Sequence, residues 1–365
     1  MLLDERLLES CGDAIAVRSV LLFLLAVSAA LPNASHAQQA ADGERLIASF
    51  RTEWPELYAR LIGLERAQGV FYGALAQKGK INEPEVFRLM TGRMAQSATS
   101  VRLDPEADKG YATLGPRAVE IIRRTHEFHR EVLAIFAGLD ASSRAPALDA
   151  AVDRYLSRRD VALPDVPKDM TILYDHTYTS FVDEDFTPRR KHPYPNLTGF
   201  VWASHWFQLA VEEPLELLVD SRERLDGVKV VTERFQRKLS AGKLPDAFPT
   251  ELPLAPCISP GLVSAHVRAA AIIDNLNMMH DVLADVLMHP KVADVRAAID
   301  EVIVQFTDPR YRIVEVDDWI TMALRHSIFQ QGGPALGTMT ANERNSSGHA
   351  QHSRGARAMR PRGMQ

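Results

Sequence analysis

From Ala41 to Gln331 the apolar residues of this chain recur every three or four positions and almost nowhere alternate. A period near 3.6 residues turns one face of a helix toward a core, whereas a half-buried strand needs alternation. That property confines the chain to helical folds. In "WPELYARLIGLERAQGVFYGALAQ", Trp54, Leu57, Leu61 and Leu64 form one stripe, and Pro55 sits where a first-turn proline is tolerated. The stretches beginning at Asn82, Pro116, Ser221, Ser259 and Asp317 repeat the pattern, several with a capping residue in front and glycine behind. Only "YRIVEV" reads as extended. No repeat of constant period is present. The expectation is an all-α fold, a single large bundle of about eight to ten helices. Proline-rich breaks fall at 163–169 and 244–261. The second is expected to pack, because Phe248, Leu252 and Leu254 give it something to bury.

The ends differ from the middle. Arg18 precedes "SVLLFLLAVSAALP" and "NASHA", with small residues at Ser35 and Ala37, the pattern of a secretory signal peptide cut after Ala37. The run is shorter than the ~20 residues of a membrane-spanning helix. Residues 1–16 hold four acids and one arginine, odd ahead of a leader, and Val17 is the alternative start. The expected organisation is a signal peptide at 1–37, a helical domain at 38–340 and a basic tail at 341–365, with a periplasmic or secreted location. Past the leader Cys257 is the only cysteine, so the fold rests on its core. The tail is polar and arginine-rich, expected to be disordered and to meet a protein partner or an anionic surface. A formal net charge of −5 argues against a general nucleic-acid binder.

Within the helical pattern, imidazoles stand where leucines belong. In "IIDNLNMMHDVLADVL" the stripe Ile273, Leu276, Leu283, Leu287 is completed by His280. The helix from Arg117 places His129 between Thr125 and Val132, and the helix from Asp317 places His326 among Trp319, Met322 and Phe329. In "NLTGFVWASHWFQLAVEEPLELL", Trp202, His205, Leu209, Glu212 and Glu216 share a line, and Pro214 is expected to bend the helix. One such histidine is ordinarily a core residue with a satisfied ring. Several together point to a shared ion or cofactor, since imidazole is the commonest metal ligand and bundle cores build such sites from facing helices.

The candidate ligands are therefore His129, His280, His326 and His205, with Glu212 and Glu216 as ligand or proton carrier. Iron, copper, zinc or a non-covalent haem b would suit them, with oxidative chemistry. Glu-x-x-His, His-Glu-x-x-His and Cys-x-x-Cys-His are absent, so di-iron, zincin and c-type haem patterns do not apply. "HEFHRE" at 126–131 has the wrong spacing for a zincin. The charged loop at 183–195, with Arg189, Arg190 and His192, is a candidate cover for a pocket and could hold an anionic substrate. The rival expectation is a non-catalytic helical subunit or scaffold, binding a protein or small ligand, with every histidine merely satisfied in the core.

Overall fold

The computed structural model describes residues 41–77, 81–95, 105–175, 194–240, 251–289, 292–326, 328 and 331–337. The leader-like stretch at 1–37, the loop residues Arg189, Arg190 and His192 expected to hold a substrate, Phe248 and residues 341–365 all lie outside them. Among the described residues the fold is all-α. The helices are α1 (41–53), α2 (Pro55–Leu75), α3 (Glu83–Ala95), α4 (Pro105–Ala112), α5 (Pro116–Gly138), α6 (Ala141–Leu156), α7 (Ile172–Asp175), α8 (Pro195–Ala210), α9 (Glu212–Leu217), α10 (Ser221–Ser240), α11 (Ala255–Ile258), α12 (Pro260–Ala265), α13 (Val267–Met288), α14 (Val295–Thr307) and α15 (Val316–Arg325). The extended reading of "YRIVEV" reduces to one antiparallel bridge between Ile313 and Lys168. No described helix is long and apolar enough to cross a membrane.

The helix at the centre is α13. Every residue from Ala269 to Leu287 is buried, so it is not the amphipathic helix its leucine stripe suggests. It packs against α2, α5, α6, α12 and α14. The pattern from Ser259 to His289 is one helix in sequence and two in space. His266 breaks it with an extended backbone, and its Nδ1 accepts the amide of Ala269 to start α13. A milder interruption at Val211, which keeps helical angles, separates α8 from α9. Pro214 has no N–H to donate to the Ala210 carbonyl, so the turn loosens there. The start of α8 has no cap of its own. Glu83 of α3 supplies one, its Oε1 accepting the amides of Asn196 and Leu197.

Polar side chains on the buried helices hold neighbouring segments. Asp274 accepts the amide of Ala255 at 3.0 Å. Asn275 accepts the Lys168 amide and donates to the carbonyls of Pro164 and Val166. The Lys168 ammonium donates to the carbonyls of Gln305, Asp308 and Tyr311. Leu252 and Leu254 are buried, as the packed-loop reading expects of them. On α10, Arg234 donates to the carbonyls of Pro334, Ala335 and Gly337, while the Lys238 ammonium lies 4.3 Å from the ring centre of Trp206.

The approach of α2 to α4 depends on glycine. A β-carbon on Gly69 would come within 2.7 Å of the Ala107 carbonyl oxygen, and one on Gly110 would overlap the Gly69 carbonyl. Because the obstacle is backbone, the helices themselves must part. Gly110→Ala is expected to destabilise the protein by about 1–3 kcal/mol, the usual range for overpacking. Equilibrium denaturant unfolding measures this, and an unchanged midpoint would show that the two helices separate without cost.

Candidate functional site: a buried histidine triad

Three imidazoles meet in the middle of the bundle. His126 comes from α5, His205 from α8 and His280 from α13, and all three are essentially without solvent contact. His280 Nδ1 faces His205 Nε2 at 3.3 Å. The two rings stack with 22° between their planes and 5.5 Å between centres. The ring of His126 lies 5.4 Å from that of His280. On the other side, α2 contributes Gln68, whose amide nitrogen is 3.5 Å from His205 Nε2, and Tyr72, whose ring is 6.1 Å from His280 and whose hydroxyl donates to the His280 carbonyl. The Tyr111 hydroxyl donates to the Glu65 carbonyl and lies 3.4 Å from Gln68 Oε1. Behind His205, Asp281 Oδ2 is 3.7 Å from Nδ1. That is close enough for charge to be felt but too long for a hydrogen bond.

Burial sets the protonation of these groups. It drives the His126 and His280 rings well below the ordinary histidine range and His205 to about 3, and the neighbouring rings push each further down. The same burial, with the Asp285 charge added, holds the Asp281 carboxyl well above the usual range. Neutral imidazole is the form that ligates a metal.

The cluster is incompletely paired. His126 Nε2, His205 Nδ1, His280 Nε2, Asn277 Nδ2 and Asp281 Oδ2 are buried without a hydrogen-bond partner. Asp274 and Asn275, one turn earlier on α13, use their side chains to hold backbone. An unpaired buried polar group costs about 1–3 kcal/mol, so several in one place call for an explanation.

Next to the triad on α5, His129 Nε2 lies 2.8 Å from Glu212 Oε1 of α9. The two atoms are poorly aligned for a hydrogen bond, yet no other partner reaches either Glu212 oxygen, so the pairing is the contact that defines them. Burial raises the Glu212 carboxyl above its ordinary range, while His129 pulls it down. Beside it, Glu213 is pushed up to about 7, first by burial and further by the charges of Glu216 and Glu212. The Gly261 amide and the Ser259 hydroxyl oppose the shift. A buried ion pair, Arg130 with Glu65, completes the polar centre.

The structure brings some of the candidate residues together and separates others. His205 and His280 come together. His129 is buried but faces Glu212, and Glu216 sits farther along α9, half-buried. The placement of His326 in the core is corrected. The helix expected to carry it onward ends at Arg325, so His326 becomes the C-cap, a third exposed and 2.6 Å from Glu251. That hydrogen bond raises its pKa, unlike those of the triad. His126 takes the vacated third place. The signal for it was present: it stands three residues before His129 and so shares the buried side of α5. Asp281, Gln68 and Tyr72 had no signal beyond lying on helices that are buried all round.

Among the described residues no three histidine, cysteine, aspartate or glutamate side chains already stand in a metal-ligating arrangement; the triad offers a facing pair with a third ring beside it. No family model, curated protein or solved structure matches this chain.

Proposed function

We propose that this chain is an exported metalloprotein holding one transition-metal ion between His205 and His280, with His126 as the third donor. The observation that carries the reading is the 3.3 Å between the facing ring nitrogens, in a cluster where His126 Nε2, His205 Nδ1 and His280 Nε2 have no partner. Two metal–nitrogen bonds of about 2.0–2.1 Å at a tetrahedral angle put their nitrogens about 3.3 Å apart. His126, its ring centre 5.4 Å from that of His280, carries an unpartnered Nε2. Gln68 could face His205 through either amide atom and is the fourth candidate. Asp281 stands where a carboxylate commonly orients a ligating ring.

Facing nitrogens only 3.3 Å apart suit adjacent positions on a single ion, which favours an ion over haem. Imidazole suits iron, copper and zinc alike, and an oxidative reaction belongs to the first two. The leader-like sequence at 18–37 supports export. His129, His326 and Glu216 are not part of the proposed ligand set.

Metal analysis of the mature protein, after dialysis against Zn²⁺, Cu²⁺ or Fe²⁺ and desalting, tests this. About one ion per chain is expected with at least one of them. Retention should be lost in His205→Leu and His280→Leu but kept in His326→Leu. A folded wild type that retains none of the three overturns the reading and favours the scaffold alternative, in which the triad is a packing feature.

A further inference from the structure

Gln68 and Tyr111 sit on either side of the glycine crossing between α2 and α4. Gln68 precedes Gly69, and Tyr111 follows Gly110. A β-carbon on Gly110 would overlap the Gly69 carbonyl, and one on Gly73 would come 3.1 Å from the Gly110 α-carbon. Backbones this close let the Tyr111 side chain cross to α2. Gln68 is 1% exposed and Tyr111 2%, so neither turns to water for a partner. The Tyr111 hydroxyl donates to the Glu65 carbonyl at 2.8 Å and stands 3.4 Å from the Gln68 amide. The other end of that amide lies 3.5 Å from His205 Nε2. Gln68 thus spans the distance from Tyr111 to the triad.

A tyrosine hydroxyl has one proton to give and lone pairs with which to receive. Glu65 takes the proton. With Gln68 Oε1 toward Tyr111, two oxygens face each other at 3.4 Å and no proton is left for the space between them. With the NH₂ group there instead, the amide donates to the hydroxyl oxygen, and its own carbonyl oxygen turns toward His205. The partners decide which end of an amide is which. Resting on the metal reading, we propose that Gln68 is the fourth ligand, binding the ion through its amide oxygen, and that Tyr111 is the positioning residue that holds the amide this way round. The spacing agrees. At 3.5 Å the contact with His205 Nε2 is long for a hydrogen bond. Two donor atoms about 2.1 Å from one ion at a tetrahedral angle stand about 3.4 Å apart. The set is then three nitrogens and one oxygen, drawn from α5, α8, α13 and α2. An oxygen donor suits Zn²⁺ or Fe²⁺ better than the soft ion Cu⁺.

Competition against a chromophoric chelator, run on the mature protein with Zn²⁺, Cu²⁺ and Fe²⁺, reads the affinity. Tyr111→Phe is expected to lose about 10–100-fold, the usual cost of removing a group that orients a ligand, and Gln68→Leu at least as much. Adding Tyr111→Phe to Gln68→Leu should cost nothing further, because the hydroxyl acts through the amide. Gln68→Glu should keep or exceed wild-type affinity, and Tyr111→Phe should cost nothing in that background, since a carboxylate presents an oxygen whichever way it turns. Wild-type affinity in Gln68→Leu overturns the ligand. A loss in Gln68→Glu as large as in Gln68→Leu puts the NH₂ group on the ion's side and overturns the orientation. A Tyr111→Phe loss that persists beside Gln68→Leu overturns the positioning role. Each of these leaves the histidine site standing, because the wild type still holds its ion. A wild type that binds none of the three ions overturns the metal reading, and this proposal with it. Should Gln68→Glu fail to fold, the cycle with leucine decides.

Discussion

In the metal-free protein, His205→Gln is expected to gain stability relative to the wild type as the solution is acidified. The sign follows from the ring. His205 titrates at about 3 in the fold and near 6.5 in the unfolded chain. Between those values the unfolded state holds a proton that the folded state refuses. The contribution is complete above pH 6.5 and is lost progressively as pH falls toward 3. At about 1.4 kcal/mol per pH unit, the full window amounts to roughly 5 kcal/mol for this ring. His126 and His280 shift in the same direction. The raised carboxyls oppose them above pH 4.5, as Glu213 shows. It keeps its proton to about 7 when folded, so its contribution is full below 4.5 and fades by 7. The difference between wild type and variant removes that background. Denaturant unfolding of both proteins at half-unit steps from pH 6.5 to 4 measures it with a chelator present. A difference that does not change with pH would mean the ring is hydrated and titrates normally.

Arg130→Met is expected to cost about 3–5 kcal/mol, the range for breaking a buried ion pair from one side. Both side chains of the Arg130–Glu65 pair are about nine-tenths buried, and removing the guanidinium strands the Glu65 carboxylate. The double variant Glu65→Gln, Arg130→Met should recover most of the loss, because no charge then remains to be stranded. Chemical denaturation of the two singles and the double forms the cycle. If the double is as unstable as Arg130→Met, the loss lies in the packing of the arginine stem and not in its charge.

The architecture is largely legible in the sequence, because helical period is a property of twenty-residue stretches and survives local error. Helices α2 to α15 include ten of eight residues or more. The breaks at Trp54 and His266 are harder to see, since each depends on one residue's backbone angles, whereas Pro214 announces the one at Val211. For the site, period alone separates two cases poorly. On α13 and α8 it places His280 and His205 in the core, and they are there. On α15 it places His326 in the core by continuing the stripe beyond Arg325, where the helix stops with no glycine or proline to announce it. On α5 it picks His129 at the stripe centre and passes over His126, because a stripe assumes one wet side. That helix instead buries Thr125, His126, Phe128, His129 and Arg130 together. Which buried atoms lack partners is a property of packing between helices, and no single stretch of chain carries it.

The facing nitrogens of His205 and His280 belong to residues 75 positions apart, and His126 comes from yet another helix. Contacts of such long range form only after the intervening chain has been gathered in, and they slow folding accordingly. Until α13 is enclosed by its neighbours no single helix carries a partial version of the triad, so the cluster exists only in the closed bundle.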